Sequence, residues 1–169
     1  LYTLLSPFFL SYNLFTKDRS FCRKTRESMI PESETAEPLR VGHFTDTLLD
    51  VNGVAKTLRR QSRIALKQNK LLTMITCGPT DDSGDGIRTF AQVGALDLPE
   101  YPELKLFYPP LLKMLDFCYE SRFNRIHAAT PGPVGLAALV IANILQLPVY
   151  GTYHTALPQY VMQLTGDTS

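Results

Sequence analysis

Residues 127–160 read HAATPGPVGLAALVIANILQLPVYGTYHTALPQY, and their order decides the fold class. A short apolar strand runs into Thr130-Pro131-Gly132-Pro133. A helix of small and branched apolar residues follows. A second strand, Pro148 to Tyr153, then delivers His154 and Thr155 at its C-terminal end. Strand, helix and strand in this order make a βαβ unit with two polar loops on one edge of a parallel sheet. In open α/β sheets ligands bind at that edge.

The pattern extends outward on both sides. Leu39 to Thr45 predicts a first strand and Gly53 to Asn69 a helix. Val54, Leu58, Ala65 and Leu66 fall on one face of that helix, with basic residues largely opposite. Leu71 to Cys77 is apolar almost throughout, as a strand buried on both faces requires. Gly78 to Gly86 reads as a solvated loop, Thr89 to Val93 as a third strand, and the proline-rich stretch 95–110 as extended and irregular. Leu111 to Arg122 and 133–146 read as helices, the second apolar nearly all round and therefore buried. Arg125 to Thr130 is a strand, and Leu157 to Leu164 begins another helix. Strands alternating with helices give the α/β class: a Rossmann-like parallel sheet with helices on both faces.

The 169 residues suit one domain, and 44% hydrophobic content supports an ordinary core. A formal charge of +1 does not suggest nucleic acid as a partner. Three cysteines, Cys22, Cys77 and Cys118, give neither a disulfide framework nor a zinc spacing, which fits a reducing compartment. Residues 1–30 begin apolar and end basic. That order is wrong for a signal peptide, and the apolar run falls short of the roughly 20 residues of a membrane span. Two readings stand: the tail of a preceding domain, or an amphipathic segment on a membrane surface. Residues 31–38 form a linker and 39–169 a Rossmann-like domain. Both ends look cut from something longer.

Three loops could carry chemistry. Asp46 to Val54 lies between the first strand and first helix, and Asn52-Gly53 there lets backbone approach a ligand closely; a capped turn is the alternative. Neither G-x-G-x-x-G nor a Walker sequence is present. Thr130 can cap the following helix, and Gly132 leaves room above the strand edge; a plain capped turn explains them equally. His154 could bond a substrate hydroxyl, act as acid or base, or sit satisfied in the core. His43 reads as structural. His127, near a strand start, lies away from the expected ligand edge. Asp81, Asp82 and Asp85 lack an EF-hand pattern.

Together RVGHFTDTLLDVNGVAKTLRR, HAATPGPVGLAAL and PVYGTYHTALPQYV resemble the N-terminal domain of the group 1 (family 4) glycosyltransferases, the acceptor-side half of a GT-B fold. The resemblance covers most of the chain. It implies a retaining enzyme that moves a hexose from a UDP- or GDP-sugar to a lipid or saccharide hydroxyl. The donor would lie in a cleft between two Rossmann-like domains. Asn52, Gly53 and Val54 would face the donor diphosphate and acceptor, and Thr130 and Gly132 would line the acceptor side. His154, as the catalytic residue, would reach the transferred sugar with Thr155. No metal is expected, because basic residues and helix N-termini would neutralise the diphosphate. The implied partners are the nucleotide sugar, the acceptor and a C-terminal Rossmann-like domain; the implied location is cytoplasmic, with peripheral membrane contact an open reading. Two departures weigh the other way. Ala156 stands where relatives often carry an acid, and no two glutamates here stand eight apart, the spacing that the second domain supplies. This chain alone is therefore expected to be inactive. The alternative is a non-catalytic module that binds sugar, lipid or a partner.

Overall fold

The computed structural model describes residues 2–29, 37–50, 53–98 and 101–152. The elements are α1 (Tyr2–Met29), β1 (Arg40–Phe44), α2 (Gly53–Lys67), β2 (Leu71–Gly78), β3 (Asp82–Gly84), β4 (Ile87–Ala91), β5 (Gly94–Leu98), β6 (Tyr101–Tyr108), α3 (Leu111–Glu120), β7 (Arg125–Ala128), α4 (Pro133–Ile144) and β8 (Val149–Gly151). The main sheet has six strands in the order β3-β4-β2-β1-β7-β8. Every pairing in it is parallel except β3 with β4. The α/β class with a mostly parallel sheet is thus observed.

The central strands are buried because helices cover both faces. Successive side chains of a strand point to opposite faces. On β2, Met74 packs with Leu48 and Leu58 under α2, while Ile75 and Cys77 join the larger core beneath α3 and α4. Phe44, Phe90, Met114, Leu115, Ile126 and Ile141 fill that second core. Gly42 gives β1 room beside Phe123, whose ring would lie 3.1 Å from an added Cβ. The buried stripe of α2 is Ala55, Leu58, Ser62 and Ala65. Leu66, expected on that stripe, is exposed instead.

Two stretches expected to be irregular are strands. The 78–86 loop contains β3, which folds back on β4 through Asp85-Gly86, both with positive φ. Stretch 95–110 is largely the β5–β6 antiparallel hairpin, with an irregularity at Asp97/Leu98. Both lie outside the parallel core, so neither needs a long apolar run. The third strand begins at Ile87, two residues earlier than expected. α4 is also less enclosed than its composition implies. Val134, Ala138 and Ile141 are buried, yet Leu136, Leu139 and Val140 are exposed. The expected helix 157–164 lies outside the described residues.

α1 is docked on the domain. Tyr12 enters the main core and donates a 2.7 Å hydrogen bond to Asp116 of α3. Burial first, then that bond, push its phenol above the ordinary range. Arg19 lies over the Tyr119 ring, 3.8 Å from its centre. No helix among the described residues is long and apolar enough to cross a membrane.

Candidate functional site

The C-terminal ends of β1 and β7 meet at one carboxylate. Asp46 follows β1, and its backbone N–H donates to Thr130 Oγ1 at 2.9 Å. The Thr130 hydroxyl in turn donates to Asp46 Oδ2 at 2.6 Å. The N–H groups of Val134 and Gly135, in the first turn of α4, donate to Asp46 at 2.8 and 3.4 Å. A helix N-terminus has unpaired N–H donors and a partial positive charge, so a carboxylate is stabilised there. Here the carboxylate arrives from a different strand.

This arrangement corrects the expected role of Thr130. The N-cap of α4 is Gly132, which makes no side-chain cap bond, and Thr130 serves Asp46 instead. Gly132 does leave room, and Asp46 fills it: an added Cβ would sit 2.5 Å from the carboxylate. A Cβ on Gly135 would collide with the Thr130 carbonyl oxygen. Both glycines are therefore needed for close packing. Sequence reading placed Asp46 at the head of the β1–α2 loop but missed its contacts, because its partners stand 84 to 89 residues away. The available signal was the pair of glycines around the helix start, which announces a close neighbour.

The loop between β1 and α2 is anchored at its centre. Leu48 is buried between Leu58 and Met74, and Arg59 donates from Nη2 to the Leu48 carbonyl at 2.8 Å. Leu49 leans on the end of β2, so closely that a Cβ on Gly78 would strike it. At the start of α2 no described residue crowds the backbone. Among the described residues a Cβ on Gly53 would meet nothing within 4 Å, and the first turn carries no acidic residue. Val54 is half-buried against the α2 core. Asn52, His154 and Thr155 lie outside the described residues. The structure thus brings Thr130 and Gly132 together around Asp46, and sets Gly53 at the neighbouring β1–α2 junction of the same edge.

The sequence profile of Glycosyltransferase Family 4 matches residues 51–167. The chain belongs to that family. The match begins inside the β1–α2 loop, so β1 and Asp46 fall ahead of it. A curated relative is the alpha-monoglucosyldiacylglycerol synthase of Streptococcus pneumoniae, 27% identical over 124 residues. That alignment takes in 73% of this chain and 28% of the synthase, so the chain spans under a third of its relative's length. No solved structure gives a significant match.

The histidines separate into a described pair and His154. His43 is buried on β1, as expected of a structural residue, and its ring lies 4.3 Å from that of His127 on β7. His127 is not as remote from the edge as its position suggested. It is the third residue of β7 and hydrogen-bonds Thr152, which directly follows β8. Burial, and next the charge of Asp46, push the Cys77 thiol up to about 11. Burial also raises the Cys118 thiol, whereas Cys22 is exposed. Asp81 pairs with Arg88 at 2.5 Å.

Proposed function

We propose that this chain is the acceptor-side half of a retaining glycosyltransferase. The enzyme moves a hexose from a UDP- or GDP-sugar to a lipid hydroxyl. Family membership carries the reading, and the relative's name, a synthase of a monoglucosylated diacylglycerol, favours lipid over saccharide. A second Rossmann-like domain supplies the rest of the cleft, since both walls are needed to hold donor and acceptor in line.

Within this reading the sheet edge divides the work. Gly53 admits the diphosphate and acceptor close to the start of α2, and its open surroundings support that role. Thr130 and Gly132 line the acceptor side, on a wall that Asp46 holds rigid. His154, carried just beyond β8, contacts the transferred hexose with Thr155. It helps stabilise charge as the diphosphate leaves. No metal takes part, and the protein works at the cytoplasmic face of a membrane in peripheral contact.

The test is hexose transfer from UDP- or GDP-glucose to diacylglycerol by the protein that carries this chain. His154→Ala lowers turnover at least about tenfold with the fold preserved, equivalent to about 1.4 kcal/mol of transition-state stabilisation. Wild-type turnover in that variant removes His154 from the site. Absence of transfer with either donor favours the non-catalytic binding module.

A further inference from the structure

β8 is a lightly held strand. It has three residues, all exposed, so side-chain burial does little to fix it. Polar contacts with β7 hold it instead. Midway along, the Arg125 guanidinium lies 5.5 Å from the centre of the Tyr150 ring. At the exit, the Thr152 N–H donates to the Ala128 carbonyl at 3.2 Å. The Thr152 hydroxyl is also hydrogen-bonded to Nε2 of His127.

The sheet register places the imidazole for that contact. Met74, His43, His127 and Tyr150 are register partners across β2, β1, β7 and β8. Register partners share a face, and residues two apart on a strand return to it. Met74 packs beneath α2, so the two imidazoles belong to the α2 side of the sheet. Thr152, two residues past Tyr150, keeps to that side and meets His127. His43 is buried, and its ring lies 4.3 Å from that of His127. His127 is therefore braced from β1 while it reaches past β8. An apolar side chain in its place would cost less to desolvate, but it would give Thr152 no partner.

We propose that His127 is a positioning residue for hexose transfer. By holding Thr152 it fixes where the chain leaves β8, and so sets the aim of His154 two residues further on. The proposal rests on the reading of His154 as the group that contacts the transferred hexose. A misplacement of about 1 Å at the reacting centre costs on the order of 100-fold in rate, so a tie this close to His154 matters.

The experiment follows hexose transfer from UDP- or GDP-glucose to diacylglycerol by the protein that carries this chain. It compares His127→Leu, His127→Gln, Thr152→Val and the Leu/Val double variant, with His154→Ala and Arg125→Gln beside them. His127→Leu and Thr152→Val each lower kcat at least about tenfold, with donor KM within about twofold of wild type. The double variant loses no more than either single one, because both remove the same bond. Glutamine, whose amide can stand in for the ring nitrogen, recovers most of the loss. Arg125→Gln loosens β8 ahead of its exit and keeps kcat within about twofold. Should His127→Leu fail to fold, Thr152→Val loses only a hydroxyl at an exposed position and carries the same expectation. Wild-type kcat in His127→Leu beside an impaired His154→Ala overturns the proposal. So does a glutamine variant as poor as the leucine one, which assigns His127 to packing, or an equal loss in Arg125→Gln, which assigns the effect to general loosening of β8. Wild-type turnover in His154→Ala, or no transfer by the wild type, is instead a failure of the site reading, and the proposal falls with it.

Discussion

Two strand-to-helix junctions stand side by side at one sheet edge, and they are built differently. At the β7–α4 junction the glycines are crowded and the first helical N–H groups are taken by Asp46 from the neighbouring strand. At the β1–α2 junction a Cβ on Gly53 would meet none of the described residues within 4 Å. In sequence both are a glycine ahead of an apolar helix. One glycine makes room for the protein itself, and the other meets none of the described residues. A glycine before a helix is thus not by itself evidence of close approach; the structure shows which one is crowded.

The comparison can be broken most forcefully at Gly135. Gly135→Ala drives a methyl group into the Thr130 carbonyl, and we expect a loss of about 3 kcal/mol in urea unfolding. A loss under about 1 kcal/mol would mean that the junction yields easily and is not a rigid wall. Asp46→Ala comes next. It removes three bonds to the other junction at once, and leaves the N-terminus of α4 without its carboxylate. A loss of about 2 kcal/mol follows. Unchanged stability would show that water replaces the carboxylate at no cost.

Alkaline pH probes the same aspartate from the core side. Cys77 titrates near 11 when folded against an ordinary 9.0, through burial first and the Asp46 charge second. Its folded value is the higher, so the unfolded chain releases that proton first. The stabilisation is full below pH 9.0 and is lost as pH rises towards 11. Urea midpoints should fall across that window, and Cys77→Ala should make the fall shallower. Tyr12 adds to the slope above its ordinary 10.0, with the same sign. An equally steep fall in Cys77→Ala would assign the effect to other groups. The smallest effect is expected at the open junction: Gly53→Ala changes stability by no more than about 0.5 kcal/mol.

The sequence was legible where burial writes a period. β2 is apolar along its length, α2 alternates faces, and the Thr130–Pro133 turn marks the start of α4. From these the parallel sheet followed, and the family motifs agreed with it. β3, β5 and β6 were hidden because strands outside the parallel core tolerate polar residues and proline, such as Asp82 and Pro102. Asp46 was hidden for a different reason. It stands two residues past β1, and nothing local shows that its carboxylate reaches a helix from a distant part of the chain. The role of Thr130 went wrong with it, since a threonine near a helix start is locally a good cap.

The most direct test of an open junction used for transfer is Gly53→Asp in the protein that carries this chain. The new carboxylate would meet none of the described residues, so urea stability should stay within about 0.5 kcal/mol of wild type. Beside a nucleotide-sugar diphosphate the same charge is repulsive. We predict that hexose transfer from UDP- or GDP-glucose to diacylglycerol falls at least about tenfold, or by about 1.4 kcal/mol. Full transfer at unchanged stability would contradict the account, because Gly53 would then lie away from the reacting groups.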